Sequence, residues 1–292
     1  MLKHLEWLKK IKTGKLSKIK ASKPKSPQKI TSVKSILSGE SPFCRGGTIP
    51  LLNKSYVLRE SELELKSLFH EHKFLYIHGK RQFGKSSLLS RHANWISQDW
   101  RVAYPSLAWC NGTDREAFVK DFLEELKENF DETIENWRAI KTIIKKDKVV
   151  FLIDEIGNCC DKHVAPLLIE KLYRFYEESP NNVKIVIAYI EPIKDYLKSI
   201  KIKNQKYYEH WQTIELIPFT IEEAEKLLRF FPQEIEKMLK QKMPLIAQAT
   251  ALEPVKVQKL LHSIWVEISK ADVNCSSDFL EQIIKEYIEN GK

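Results

Sequence analysis

Two kinds of apolar spacing divide this chain. Between residues 74 and 217, short unbroken apolar runs alternate with amphipathic stretches, and from residue 220 onward only the amphipathic kind recurs. Phe74-Leu75-Tyr76-Ile77-His78 is an apolar and aromatic run of strand length. Lys148-Val149-Val150-Phe151-Leu152-Ile153 and Val183-Lys184-Ile185-Val186-Ile187-Ala188-Tyr189 are continuous runs, the pattern of strands buried on both faces of a parallel sheet. Arg101 to Trp109 reads as a further strand, with Pro105 placing it at an edge or ending it. Ile214 to Ile217 reads as the last. Ser87 to Ile96 has helical spacing, with Leu88, Leu89, Ala93 and Ile96 on one stripe. Thr113 with Glu116 forms a capping-box start for a helix to about Phe130, and helices are expected over Ile134–Lys145 and Pro166–Glu178. Upstream, the Tyr56/Leu58 alternation predicts a short extended piece, and Ser61 a cap for a helix over Glu62–Phe69. Strand and helix in alternation predict a parallel sheet with right-handed crossovers.

From Thr220 the texture changes. Thr220 and Glu223 make another capping box, and Pro232, Pro244 and Pro254 punctuate three or four short helices ending near Ile288. This is an all-helical C-terminal domain.

Charge alters the picture only at the N-terminus. Residues 1–45 hold eleven Lys and Arg45 against Glu6 and Glu40, so of the chain's net charge of +9 this segment carries +10 and the remainder −1. Leu2, Leu5, Leu8 and Ile11 recur at three-residue steps among the lysines. Two readings stand for residues 1–41. One is a basic amphipathic helix for nucleic-acid phosphates, a partner groove or a membrane surface; the other is a solvated arm, since Lys-Pro-Lys-Ser-Pro-Gln-Lys at 23–29 has a linker's composition.

Cys44, Cys110, Cys159, Cys160 and Cys275 form no C-x-x-C pair and leave an odd count, as expected of reduced thiols in a cytoplasmic protein. No apolar run reaches the roughly 18 residues of a membrane span, and the N-terminus has no continuous apolar core of a signal peptide.

The candidate chemistry starts where the first strand ends. Gly79-Lys80-Arg81-Gln82-Phe83-Gly84-Lys85-Ser86 fits G-x-x-x-x-G-K-[ST], between a strand and a helix that Ser87 continues. Glycines let the backbone wrap phosphate oxygens, and the new helix points unpaired N–H groups and a positive dipole end at them. Lys85 is expected to reach the terminal phosphates of ATP, and the Ser86 hydroxyl to ligate Mg²⁺. Asp154-Glu155 closes a buried strand, the Walker B arrangement. Asp154 is expected to hold Mg²⁺, and Glu155 to orient or deprotonate the water that attacks the γ-phosphate.

Two weaker candidates carry alternatives. Arg174 could stabilise the transition state in its own site or a neighbour's, or simply pair with Glu177 or Glu178 at helical spacing. Glu191 could sense the γ-phosphate through water, or start a helix before Pro192. His70-Glu71-His72 lacks the spacing of a helical zinc face, and Trp95, Trp109 and Trp265 suit a core or interface better than a base-stacking platform.

Gly46-Gly47-Thr48-Ile49-Pro50, Tyr56-Val57-Leu58-Arg59 and Arg81-Gln82-Phe83-Gly84-Lys85-Ser86-Ser87-Leu88, in that spacing, resemble the AAA-like domain of bacterial STAND-type ATPases. The resemblance continues through Asp154-Glu155, Arg174, Glu191 and Pro218-Phe219-Thr220, over residues 42–268. It implies a three-layer α/β P-loop core of the ASCE/AAA-like kind over 42–218, followed by a helical lid or winged-helix-like domain over 219–292. It further implies an ATP-binding switch whose nucleotide lies between core and lid. Tyr56 and Arg59 would line the adenine side, with Pro254 near the lid's G-x-P element. Two positions depart from the family: Leu252 stands at that element's glycine, and Ile190 where a polar residue usually precedes Glu191. Such a switch implies a nucleotide-dependent homo-oligomer, or a separately encoded protein effector, as partner.

Overall fold

The computed structural model describes residues 40–51, 53–107, 110, 114–158, 164–200, 209–270 and 275–290. Helix α1 (Glu60–Glu71) leads into β1 (Phe74–His78) and α2 (Lys85–Ile96). Then come β2 (Arg101–Ala103), α3 (Arg115–Phe130), α4 (Trp137–Lys146) and β3 (Val149–Ile153). Helix α5 (Val164–Glu178), β4 (Val183–Tyr189), α6 (Ile193–Ser199) and β5 (Trp211–Glu215) complete the α/β part. Five helices follow: α7 (Ile221–Leu228), α8 (Gln233–Gln241), α9 (Met243–Thr250), α10 (Pro254–Lys270) and α11 (Ser277–Glu289).

The five strands form one parallel sheet in the order β2-β3-β4-β1-β5. Register aligns Phe74 with Ile185, and Phe151 with the same Ile185 from the other side. Strand β4 thus stands between the strand that opens the glycine loop and the one that ends in Asp154-Glu155. Two strand spacings, roughly 10 Å, separate the two motifs along one sheet edge.

Period-2 alternation sends side chains to opposite faces. Phe74, Tyr76, Phe151, Ile153, Ile185 and Ile187 pack with residues of α3, α4, α5 and α6 in one buried cluster. Leu75, Ile77, Val150, Leu152, Val186 and Ala188 pack with Leu65 and Phe69 of α1 and Leu88 and Leu89 of α2 in another. Both faces are covered, so β1, β3 and β4 are apolar without a break. Lys184 is the exception. Its Nζ donates to the Phe69 carbonyl and lies 4.4 Å from that ring's centre, and burial lowers its pKa to about 8.

A third buried cluster unites α7 to α11, and Phe43 and Val57 belong to it. The Phe43 ring stacks on Phe231 at 5.4 Å. The segment before α1 is therefore packed into the core of the C-terminal helices. Among the described residues of 219–292 there is no β-hairpin of the kind a winged helix carries.

Element ends depart from expectation for local reasons. Ser61 does not cap α1: the helix begins at Glu60, with Arg59 in the extended N-cap position, and the Ser61 hydroxyl is buried without a hydrogen-bond partner. Asp114 caps α3, accepting from the Ala117 amide at 2.6 Å, while Thr113 lies outside the described residues. Asn136 starts α4 later than Ile134 by accepting from the Arg138 and Ala139 amides. Strand β2 pairs for only three residues before Tyr104-Pro105, and Trp109 lies outside the described residues. Strand β5 starts at Trp211 rather than Ile214, because Trp211 pairs with Phe74 and its ring packs 5.3 Å from the Phe74 ring. The Thr220–Glu223 capping box forms in both directions.

Candidate functional site

The glycine loop is built by backbone freedom at its two ends. Gly79 leaves β1 with φ 154°, and a Cβ there would meet the Leu216 carbonyl oxygen at 2.6 Å. Gly84 has φ 93° and caps α2 with no side chain, so the first-turn amides of α2 are left for another acceptor. Between them Gln82 also takes a left-handed φ of 66°. The Phe83 ring turns away into the buried cluster under the sheet, and its carbonyl accepts from Arg59 Nη1 at 2.8 Å.

Lys85 is 8% exposed, and its Nζ donates to the carbonyls of Gly79 at 2.7 Å and Lys80 at 2.9 Å. Burial lowers its pKa, with Arg81 acting in the same direction and Asp154 and Glu155 opposing. Asp154 lines a cavity together with Ser86, and its Oδ1 accepts from the Glu155 amide at 2.9 Å. Tyr104 donates from its hydroxyl to Asp154 Oδ2 at 3.4 Å. Burial raises the Asp154 pKa, offset by the Ser86 hydroxyl, the Glu155 amide and Lys85 and reinforced by the Glu155 charge. Glu155 itself is exposed, in a left-handed conformation with φ 49°. The Ser86 hydroxyl and the Asp154 carboxylate are hard oxygen donors lining one cavity, a set that fits Mg²⁺.

A cleft of about 530 Å³ collects Lys85, Ser86 and Glu155, while Asp154 and Tyr104 line a cavity beside it. Arg81, Gln82, Gly84, Lys85, Ser86, Ser87 and Glu155 line one side, and Pro254, Val255 and Gln258 of α10 line the other. Its roof is the segment before α1, where Ile49 donates its amide to Ser87 Oγ at 2.9 Å. Gln258 is nearly fully buried and holds that segment twice, accepting from the Cys44 amide at 3.1 Å and donating to the Ser55 carbonyl at 2.8 Å. A narrow apolar extension of about 30 Å³ runs on between Ile49, Tyr56, Val57, Arg59, Leu88 and Phe219.

Other residues singled out from the sequence sit differently. The Tyr56 hydroxyl donates to Glu62 Oε2 at 2.9 Å, its ring lies 3.7 Å under the Arg91 guanidinium, and burial raises its pKa. Arg59 joins three parts: the Phe83 carbonyl, the Ile217 carbonyl, and Glu223 of α7 at 4.0 Å. At the end of β4 it is Tyr189 and Ile190 that line the cleft, with the exposed Glu191 beyond them. Arg174 is exposed near the end of α5. Its neighbour Tyr173 stacks 4.5 Å from Phe74, at the start of β1, whereas the glycine loop follows the far end of that strand. The structure does not bring Arg174 to the chain's own glycine loop.

The sequence raises no expectation for Tyr104 and Gln258 at the site, and Ile49 and Phe219 stand there only as positions of the resemblance, with no site role. Gln258 has a signal, one helical turn beyond Pro254 on the same face. Tyr104 depends on strand order, and Ile49 on the path of the roof segment.

No established family profile matches the chain. It is 24% identical over 286 residues to an uncharacterized WD repeat-containing protein of Synechocystis; the match covers 85% of this chain but only 23% of that relative. Among solved structures it is similar to domain III of the replication initiation protein DnaA from Thermotoga maritima, with TM-score 0.53, 18% identity, and 81% and 96% of the two chains covered. A Walker-type ATPase of Pyrococcus abyssi superimposes with TM-score 0.58, 16% identity, and coverage of 86% and 76%. Drosophila ORC bound to DNA gives 0.57, 15% identity, and coverage of 98% and 74%. The chain shares the α/β fold of these structures, a parallel sheet with helices.

Proposed function

We propose that this chain is an ATP-binding, Mg²⁺-dependent ATPase of the AAA-like/STAND kind that works as a switch. The observation that carries this reading is the cleft itself. It faces unpaired amides at the start of α2, with Lys85, Ser86 and Glu155, adjoins the cavity that Asp154 lines, and is closed by Pro254 and Gln258 of α10 in the helical cluster.

In this reading the triphosphate lies against Gly79 to Ser87. Lys85 exchanges the Gly79 and Lys80 carbonyls for phosphate oxygens, so a buried cation stays paired throughout. The base enters beneath Ile49 and the apolar extension beside Tyr56, Val57 and Phe219. Ser86 and Asp154 hold Mg²⁺, which when bound neutralises charge on the transferred phosphoryl group. Glu155, exposed at the cleft edge, takes the proton of a water whose oxygen bonds to the γ-phosphorus as the bond to ADP breaks. Arg174, at the opposite sheet edge, can offer its charge only to a neighbouring copy, and Glu191 needs a bridging water to sense phosphate. Because Pro254 and Gln258 belong to the helical cluster, nucleotide state is coupled to lid orientation, and through it to self-assembly or a separately encoded effector.

The test is calorimetry with ATP and Mg²⁺. Wild type should bind, Lys85→Ala should not, and Glu155→Gln should bind with turnover reduced about 10²–10⁴-fold. Equal, near-zero turnover in wild type and Glu155→Gln would favour a binding-only module. The strong positive charge of residues 1–41 favours one second reading, a DNA-associated ATPase. Salt-sensitive DNA retention that disappears on deleting 1–41 would support it, and absence of retention in the full chain would end it.

A further inference from the structure

Beside the main cleft a second cavity of about 390 Å³ opens at the ends of β2 and β3, sharing Ser86 and Glu155 with it. Tyr104 forms part of its wall. The Asp154 carboxylate, which lines it, is held by two donors. Oδ1 takes the Glu155 amide at 2.9 Å, and Oδ2 takes the Tyr104 hydroxyl at 3.4 Å. The first belongs to a motif already described. Tyr104 follows a different strand and belongs to neither motif.

We propose that Tyr104 is a positioning residue for Asp154, holding its carboxylate in one orientation in the cavity that Ser86 also lines and so setting the affinity of the site for Mg²⁺. The inference rests on the ATP–Mg²⁺ reading above and adds a residue to it.

The fold gives this phenol a fixed address. Ala103 pairs with Phe151, so the chain leaves β2 alongside the end of β3 and puts Tyr104 beside Asp154. Its backbone is then pinned to α3 on both sides of Pro105. Asn129 Oδ1 accepts from the Tyr104 amide, and Glu125 Oε2 accepts from the Ser106 amide at 2.9 Å. Asn129 is itself oriented, donating from Nδ2 to the Glu125 carbonyl at 2.8 Å. A hydroxyl on so constrained a loop loses little freedom when it bonds a carboxylate, which is what a group serving a metal ligand requires. The ring also packs against the buried cluster under the sheet. A purely structural Tyr104 would need the ring and not the oxygen.

Tyr104→Phe separates the two roles, because it keeps the ring. ATP binding is measured by calorimetry in EDTA and then with Mg²⁺ titrated in, for wild type, Tyr104→Phe and Asp154→Asn. The expected result is equal metal-free ATP affinity in wild type and Tyr104→Phe. The Mg²⁺ concentration giving half the metal-dependent gain should rise at least about tenfold, the cost of removing an outer-shell partner. Asp154→Asn should lose the gain. An unchanged Mg²⁺ requirement in Tyr104→Phe overturns the proposal. So does a metal-free affinity that falls as far as the metal-bound one, since that would mark a structural role. Wild type binding ATP with no gain from Mg²⁺ overturns it as well, by removing Asp154 from the metal site. Wild type that binds no ATP in either condition is a separate result and brings down the nucleotide reading itself.

Discussion

The backbone amide of Phe219 donates to the carbonyl of Leu252 at 2.9 Å, fastening the segment that leaves β5 to the turn between α9 and α10. That turn is left-handed twice over, with φ 48° at Ala251 and 55° at Leu252. Where the resemblance places a glycine, Leu252 adopts the conformation a glycine would and aims its carbonyl at Phe219. The hinge between sheet and helical cluster is kept without the residue that would make it cheapest.

A left-handed conformation at a non-glycine residue costs about 1–2 kcal/mol. Ala251 is exposed and follows the last turn of α9, where glycine is favoured. Ala251→Gly is therefore expected to stabilise the protein by about 1 kcal/mol, read as a higher urea midpoint at unchanged slope. A midpoint that falls would mean that the turn is not strained.

Gln258 satisfies two backbone groups of the roof segment from inside the core. Gln258→Ala strands the Cys44 amide and the Ser55 carbonyl, each costing about 1–3 kcal/mol if it stays buried. We expect a drop in stability of at least that size, with weaker ATP binding because the roof loosens. Unaltered ATP affinity in a folded Gln258→Ala would separate the roof from nucleotide binding.

His92 lies in α2, fully buried against Phe69 at 4.8 Å and Trp95 at 5.3 Å, with neither ring nitrogen hydrogen-bonded. Burial, helped by Lys66, Lys184 and His70, lowers its pKa to about 3. A folded pKa below the unfolded one gives stability that is present above about pH 6.5 and is lost as pH falls toward 3. His92 should thus remove about 1.4 kcal/mol of stability per pH unit below 6.5. In His92→Phe the dependence of unfolding free energy on pH between 6.5 and 5 should flatten by that amount. The same slope in both proteins would place the acid sensitivity elsewhere. Lys184 acts in a separate window, relieving its burial cost only as pH rises above about 8.

Gly157 follows Asp154-Glu155 in a short 3₁₀ turn, and a Cβ there would sit 2.0 Å from the Tyr189 ring. Gly157→Ala must push that ring toward the cleft it lines, an overpacking cost of about 1–3 kcal/mol. A lower melting temperature together with weaker ATP binding is expected. A melting temperature within error of wild type would show that the ring has room to move.

The sequence by itself determined what is local or periodic. Apolar runs at 149–153 and, but for Lys184, at 183–189 specify strands covered on both faces, because only a parallel sheet with helices on each side needs no polar face. The glycine loop was legible because its backbone requirements admit few residue types, and the Thr220–Glu223 box because a cap is closed within four residues. Tertiary structure decided what depends on neighbours distant in the chain. Insertion of β4 between β1 and β3 set the distance between the two motifs. The same order placed Tyr104 beside Asp154, 50 residues away in sequence. Phe43 and Val57 joined the C-terminal core, and Gln258 reached back over 200 residues to Ser55, because burying apolar surface and pairing buried polar groups are settled by whatever packs alongside, not by what lies next in the chain.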